Sequence, residues 1–234
     1  MDKTRKCRLI AFASPKGGVG KSTSCLAVAG ALAHAGNKVT ILDLDLNRSI
    51  EGWRVRFPKV APSIRVIGLT EDEFLAALKE LYYTVEGYLL IDVAGAFSTV
   101  TTAAATAADL TISPAKASAL DVIEARKLNN EIRLLGDKIN KPIKHRLLLN
   151  ELSGIWPSYQ RAMLAQVGKA GVPMFKTFLM QRAPFAEMFL TGLPPHYADT
   201  AREPVRNAIE QLDELVAEIL AELPAIQQPA QEAA

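Results

Sequence analysis

At 234 residues, with 49% hydrophobic and 22% charged side chains, the chain has enough apolar material for one α/β domain and is short for two. A net charge of +2 is too small for a protein devoted wholly to nucleic acid, though it leaves room for a local basic patch. The two cysteines, Cys7 and Cys25, have no CxxC or Cys/His spacing, which argues against zinc, iron–sulfur and disulfide frameworks and leaves them as small buried residues.

The opening Met1-Asp2-Lys3-Thr4-Arg5-Lys6 runs straight into a short apolar strand, without the long apolar core and cleavage site of a signal peptide. No apolar run reaches the ~18 residues that cross a bilayer, so a soluble cytoplasmic protein is expected. Short apolar runs then alternate with longer amphipathic ones. Strands are expected at 9–13, 38–42, 64–67, 88–92, 110–113, 146–150 and 174–178. Helices are expected near 21–35, 71–84, 117–137, 157–170, 183–190 and 203–222. Continuous apolar strands separated by helices specify an α/β fold: a mostly parallel twisted sheet with helices on both faces. With no repeat and no Gly/Ser-rich linker, residues 1–223 read as a single domain, and 224–234, which lack a periodic apolar face, as a tail that frays.

The strongest local signal lies between the first strand and the first helix: Ser14-Pro15-Lys16-Gly17-Gly18-Val19-Gly20-Lys21-Ser22-Thr23. Glycines let successive backbone N–H groups curl around an anion, and the helix that follows adds its positive end. In such a P-loop Lys21 reaches the β- and γ-phosphates of a nucleotide, the Ser22 hydroxyl ligates magnesium, and Thr23 contacts phosphate oxygens. The dinucleotide fingerprint does not fit, because its third glycine position holds Thr23. Pro15 replaces the usual first glycine, and a second lysine, Lys16, follows it.

This string, Lys16 through Thr23, resembles the deviant Walker A box of the ParA/MinD superfamily of P-loop NTPases, small ParA- and ParF-like partition proteins in particular. The resemblance implies ATP and Mg2+ as ligands, weak intrinsic hydrolysis and a homodimer closed around ATP. In that dimer Lys16 would reach the second copy's nucleotide and offset transition-state charge. It further implies a ParB-like or other cargo-linked activator, non-specific DNA binding, a cytoplasmic, nucleoid-associated location and no membrane attachment.

Downstream, the second strand ends Asp43-Leu44-Asp45. Alternation places both carboxylates on one side at the carboxyl edge, where open α/β sheets bind ligands. One of them could instead cap the next helix. By resemblance Asp45 positions the attacking water and Asp43 supports the magnesium shell. The family commonly continues Pro-Gln, whereas Leu46-Asn47-Arg48-Ser49 is nearer the Asn-Arg version of ParA-like proteins in conjugative DNA transfer. Tyr88-Leu89-Leu90-Ile91-Asp92 reads as a Walker B strand whose carboxylate holds magnesium through water, with Gly95 freeing a switch loop behind it. Asp121 has two readings: a residue that starts a helix or, by resemblance of Pro114 to Asp121 to ParA and ParF proteins, part of a loop at the dimer face. Asn150, by family analogy, faces adenine.

For DNA, the region from Arg126 to Arg146 is the most basic, but Glu124, Glu131 and Asp137 dilute it and a solvated helix face accounts for it. The resemblance to ParF points instead to Lys176 and Arg182. Three other readings compete. A MinD-type membrane switch needs a basic C-terminal helix, but the last one carries Glu210, Asp213, Glu214, Glu218 and Glu222. A P-loop metabolic kinase or ligase should show an arginine-rich lid, which is not evident. The Asn47-Arg48 departure allows a recruitment ATPase of conjugative DNA transfer.

Overall fold

The computed structural model describes residues 5–95, 99–155, 157–169 and 171–225, with Ala119 and Val122 described by backbone alone. From residue 226 the expected tail lies outside them. Six strands, β1 (Cys7–Phe12), β2 (Val39–Asp43), β3 (Ile64–Gly68), β4 (Gly87–Asp92), β5 (Leu110–Lys116) and β6 (His145–Asn150), form one sheet in the order β3-β2-β4-β1-β5-β6. Every pairing is parallel. Eight helices accompany them among the described residues: α1 (Lys21–His34), α2 (Ser49–Arg56), α3 (Glu71–Thr84), α4 (Thr99–Ala107), α5 (Ala119–Lys138), α6 (Ser158–Lys169), α7 (Ala183–Thr191) and α8 (Glu203–Glu222).

Strand alternation divides the core. Leu9 and Ala11 of β1 pack with Leu89, Ile91 and Phe74 beneath α3 and α4, whereas Ile10 and Phe12 face α1, Trp53 and α8. A third cluster lies beneath α5 and α6 at the β6 edge. Buried residues run unbroken through α1 from Ser24 to Ala33, so this helix needs small side chains rather than an amphipathic stripe. Gly30 shows why: a Cβ there would lie 2.6 Å from Pro194 Cβ. On α8, Val205, Ala208, Leu212, Leu215 and Ile219 are buried at helical spacing. That apolar face is spent on the core, which leaves the acidic face outward. No helix among the described residues is long and apolar enough to cross a membrane.

Three elements differ from expectation. Residues 174–178 form no strand: the segment touches β6 through one isolated bridge, Leu147 to Met174, and a second, Leu152 to Met180, lies just beyond both. Pro173 lacks an N–H for a regular ladder and contributes only its carbonyl, 2.8 Å from Leu147 N. Helix α2 was hidden by Gly52 and an absent apolar stripe, and α4 by its run of threonines, which favour strands. Because all strands are parallel, their carboxyl ends meet at one edge, and the β1–α1 loop, Asp43 and Asp92 all lie there.

Candidate nucleotide-binding site

The loop joining β1 to α1 is shaped by two glycines in the left-handed region, Gly18 (φ 69°) and Gly20 (φ 90°). Gly20 stands at the N-cap of α1 and offers no side-chain cap, and the first turn carries no acidic residue. The first N–H groups of a long buried helix are thus left for an anion. Space above Gly17 and Gly18 is open, with nothing within 4 Å of where a Cβ would stand. Around the loop is a 940 Å³ cavity lined by Gly17, Gly18, Gly20 to Thr23, Asp45 and Gly95, and walled by α2 and its start through Arg48, Glu51 and Arg56 and by α7 through Phe189. Sequence reasoning missed the α2 and α7 wall, since no local motif marks residues brought in by packing.

Lys21 is buried, its amine 3.1 Å from the Lys16 carbonyl. Burial lowers its pKa, opposed by the charges of Asp92 and Asp45. Behind it, Asp43 and Asp92 are register partners on adjacent strands, both fully buried. They do different jobs. The Asp43 carboxylate accepts the N–H groups of Asp45 (3.1 Å), Ile50 (2.9 Å) and Glu51 (2.9 Å), so the helix-capping reading describes its contacts. Burial raises its pKa in spite of those donors, with Asp45 adding repulsion.

Neither oxygen of Asp92 has a partner in full hydrogen-bond geometry among the described residues. Burial pushes its pKa up to about 8; the nearby Ser22 hydroxyl and Lys21 offset this in part, while Asp43 and Asp45 add to it. A buried, unpartnered carboxylate costs stability unless a cation or polarised water meets it. Ser22 and the half-buried Asp45, whose Oδ1 accepts the Asn47 N–H at 2.8 Å, lie on the cavity side of it. This donor set fits a hydrated divalent cation of the magnesium kind.

The remaining expected residues fall in several places. Lys16 is not free: its amine pairs with Asp121 of the same chain, a carboxylate only 2% exposed at the start of α5. There the Ser118 hydroxyl caps the helix by accepting the Asp121 N–H at 3.2 Å. Asn150 is tied to the phosphate loop, its amide donating to Val19 O (3.2 Å) and Ser24 Oγ (3.3 Å). It also lines a 260 Å³ cavity with Thr23 and Arg182. Lys176 and Arg182 share a 460 Å³ groove, but α8 brings Glu214 into it and Arg182 Nε donates to Gln211 at 3.1 Å. Glu218 accepts the Lys176 and Thr177 N–H groups at 2.8 Å each. A phosphate backbone approaching these two cations would meet carboxylates as well.

Comparison with known proteins places this geometry in context. The sequence model of the VirC1 protein family matches residues 7–233. A relative named Protein ParA from Rhizobium radiobacter is 27% identical over 208 residues, covering 88% of this chain and 92% of its own. Protein virC1 from Rhizobium rhizogenes is 26% identical over 195 residues, covering 80% and 82%. Among solved structures, the ATP complex of Cyanothece McdA superposes with a TM-score of 0.71 at 15% identity, over 97% of this chain and 100% of that one. A chain of the MinC:MinD cell division protein complex of Aquifex aeolicus gives 0.70 at 14% identity, over 95% and 99%. The likeness to ParA and MinD proteins read from the phosphate loop, and the P-loop fold expected with it, are both borne out.

Proposed function

The chain belongs to the VirC1 family, and from that membership we propose that it is an ATPase of the ParA type that dimerises around ATP, binds DNA without sequence preference and positions cargo such as a plasmid, a chromosome region or a protein cluster. One observation carries the reading. An uncapped helix N-terminus and its glycine loop face a 940 Å³ cavity, and behind them lies the buried carboxylate of Asp92, without a partner in full hydrogen-bond geometry among the described residues. That arrangement suits a nucleotide triphosphate accompanied by a cation.

In this reading the backbone from Gly17 to Thr23 cradles the phosphates, and Lys21 is aimed at the β/γ end. Ser22 and Asp92 hold magnesium, Asp92 through water, and Asp43 supports that shell from behind while anchoring α2. Bound magnesium would neutralise phosphate charge and steady the leaving group. Asp45, at the cavity wall, orients the attacking water. Asn150 braces the loop near the base. Lys16 leaves Asp121 on dimerisation and meets the second copy's nucleotide, where its charge counts most as negative charge builds on the transferred phosphoryl group. Slow unaided turnover, a ParB-like or other cargo-linked activator, and phosphate contacts from Lys176 and Arg182 complete the cycle in the cytoplasm, on the nucleoid.

A second reading keeps the chemistry and changes the cargo: a recruitment ATPase of conjugative DNA transfer. It is favoured by Asn47-Arg48, where Arg48 adopts φ 48° at the start of α2 and contacts the Asp43 carbonyl at 3.3 Å. A non-glycine residue held there reshapes the loop that an activator would read.

The test is sedimentation with ADP and with ATP-Mg, on wild type, Lys16→Ala and Lys21→Ala, alongside phosphate release. Support would be a dimer seen only with ATP-Mg and lost in both variants. A monomer in every nucleotide state, with hydrolysis indifferent to Lys21, would refute the proposal.

A further inference from the structure

At the opposite edge of the sheet from the phosphate loop is a second large concavity, 610 Å³, between the last turns of α5, the loop into β6 and the segment around Gly171 and Pro173. Its charged lining is Arg133, Lys141, Lys144 and Arg146 against a single acid, Asp137. From outside the lining, Glu222 of α8 binds Arg146 at 2.5 Å and stands 3.9 Å from Lys144, compensating part of that charge. Arg133 and Lys141 remain without acidic partners among the described residues, the Lys141 amine meeting only the Thr106 carbonyl at 3.3 Å. An excess of positive charge in a concave surface focuses potential and draws a polyanion.

The stripe continues along the helix. Arg126, Asn129 and Arg133 are spaced three and four residues apart on α5 and share a face about 10 Å long. The cleft is lined by no aromatic side chain other than His145. His145 is itself buried, with its ring held by Ser113 Oγ (2.8 Å) and Asn129 Oδ1 (3.0 Å). With no exposed ring on which bases could stack, the lining suits phosphates rather than a single strand.

We propose that this cleft, centred on Arg133 and Lys141, is a binding site for the phosphate backbone of duplex nucleic acid. It deepens the DNA-binding part of the proposed function and moves the main contact away from Lys176 and Arg182, beside which α8 places Glu214 and Glu218. Strand β6 runs from the cleft at His145 to the ATP edge at Asn150, a rise of about 17 Å. Binding here therefore does not require nucleotide. Two copies closing through their ATP edges carry their clefts at opposite poles.

The experiment is fluorescence anisotropy of a short labelled DNA duplex, between about 50 and 200 mM salt, with and without ATP-Mg. Wild type is compared with Arg133→Glu/Lys141→Glu, with the neutral Arg133→Gln/Lys141→Gln and with Lys176→Glu/Arg182→Glu; ATP hydrolysis reports that each is folded. The expected result is duplex binding by wild type in both nucleotide states. The charge-reversed cleft variant should bind at least about tenfold more weakly, its logarithmic salt slope smaller by about two, and the neutral variant should lie between. Equal binding by wild type and the cleft variants would overturn the cleft while leaving DNA binding intact. Loss confined to Lys176→Glu/Arg182→Glu, or preference for a single strand of equal length, would also overturn it. No duplex binding by wild type would remove the DNA part of the proposed function together with the cleft.

Discussion

Replacing Asp121 with alanine tests whether Lys16 is stored in one place and used in another. The pair joins a lysine side chain 42% exposed to a carboxylate 2% exposed. Two unit charges in contact at a protein surface attract by about 4 kcal/mol at an effective dielectric of 20. Solvent reaches the lysine, so screening leaves about 1 kcal/mol. A dimer that draws Lys16 from each copy opens two pairs, about 2 kcal/mol in all, so Asp121→Ala should tighten the ATP-bound dimer roughly 30-fold. The α5 start loses a first-turn acid but keeps its Ser118 cap, a stability cost below about 1 kcal/mol. The assay is sedimentation across protein concentration with a non-hydrolysable ATP analogue, on wild type, both single variants and Lys16→Ala/Asp121→Ala. The tightening should vanish in the double variant, since the two residues act as one unit. An unchanged dimer constant would refute the storage argument. A weaker dimer would instead place Asp121 in the interface, the other reading its sequence position allowed.

Gly20→Ala should abolish measurable ATP binding. Its Cβ would stand 2.1 Å from Asn150 Nδ2 on a backbone with φ 90°, so the loop must shift; calorimetry showing wild-type affinity would contradict that. His145 gives a stability change with pH. Its folded pKa is lowered to about 4, chiefly by burial and then by Arg146, from an ordinary 6.5. A depressed base contributes stability that is complete above pH 6.5 and is lost as pH falls towards 4, here about 3 kcal/mol. Denaturant melts of wild type and His145→Gln should therefore differ by a pH-dependent amount across that window, with wild type losing more as it acidifies; a constant difference would count against a neutral buried ring.

The chemistry at the phosphate loop was legible in one dimension because its parts are contiguous. Lys16 to Thr23 run from the loop behind β1 into the first turn of α1, and such a string needs only local geometry to make an anion cradle. The parallel sheet was legible for a similar reason, since strands buried on both faces read as unbroken apolar runs. Short α2 and threonine-rich α4 were not, because neighbours rather than propensity hold them; α2 begins where the Asp43 carboxylate collects its N–H groups. The sequence assigned Asp43 to the magnesium shell and Asp45 to the attacking water, with a helix cap open to one of them, whereas the register of β2 against β4 decided the division of labour: Asp43 is spent on backbone, and Asp92 beside it has no partner in full hydrogen-bond geometry among the described residues. The sequence likewise supplied the lysines and arginines. Only the tertiary structure decided which acids stand near which of them, by bringing Glu214 and Glu218 of α8 beside Lys176 and Arg182 while Arg133 and Lys141 share their cleft with Asp137 and form no ion pair among the described residues. Charge is a property of residues, but its compensation depends on distance in space, and that distance exists only after the chain has packed.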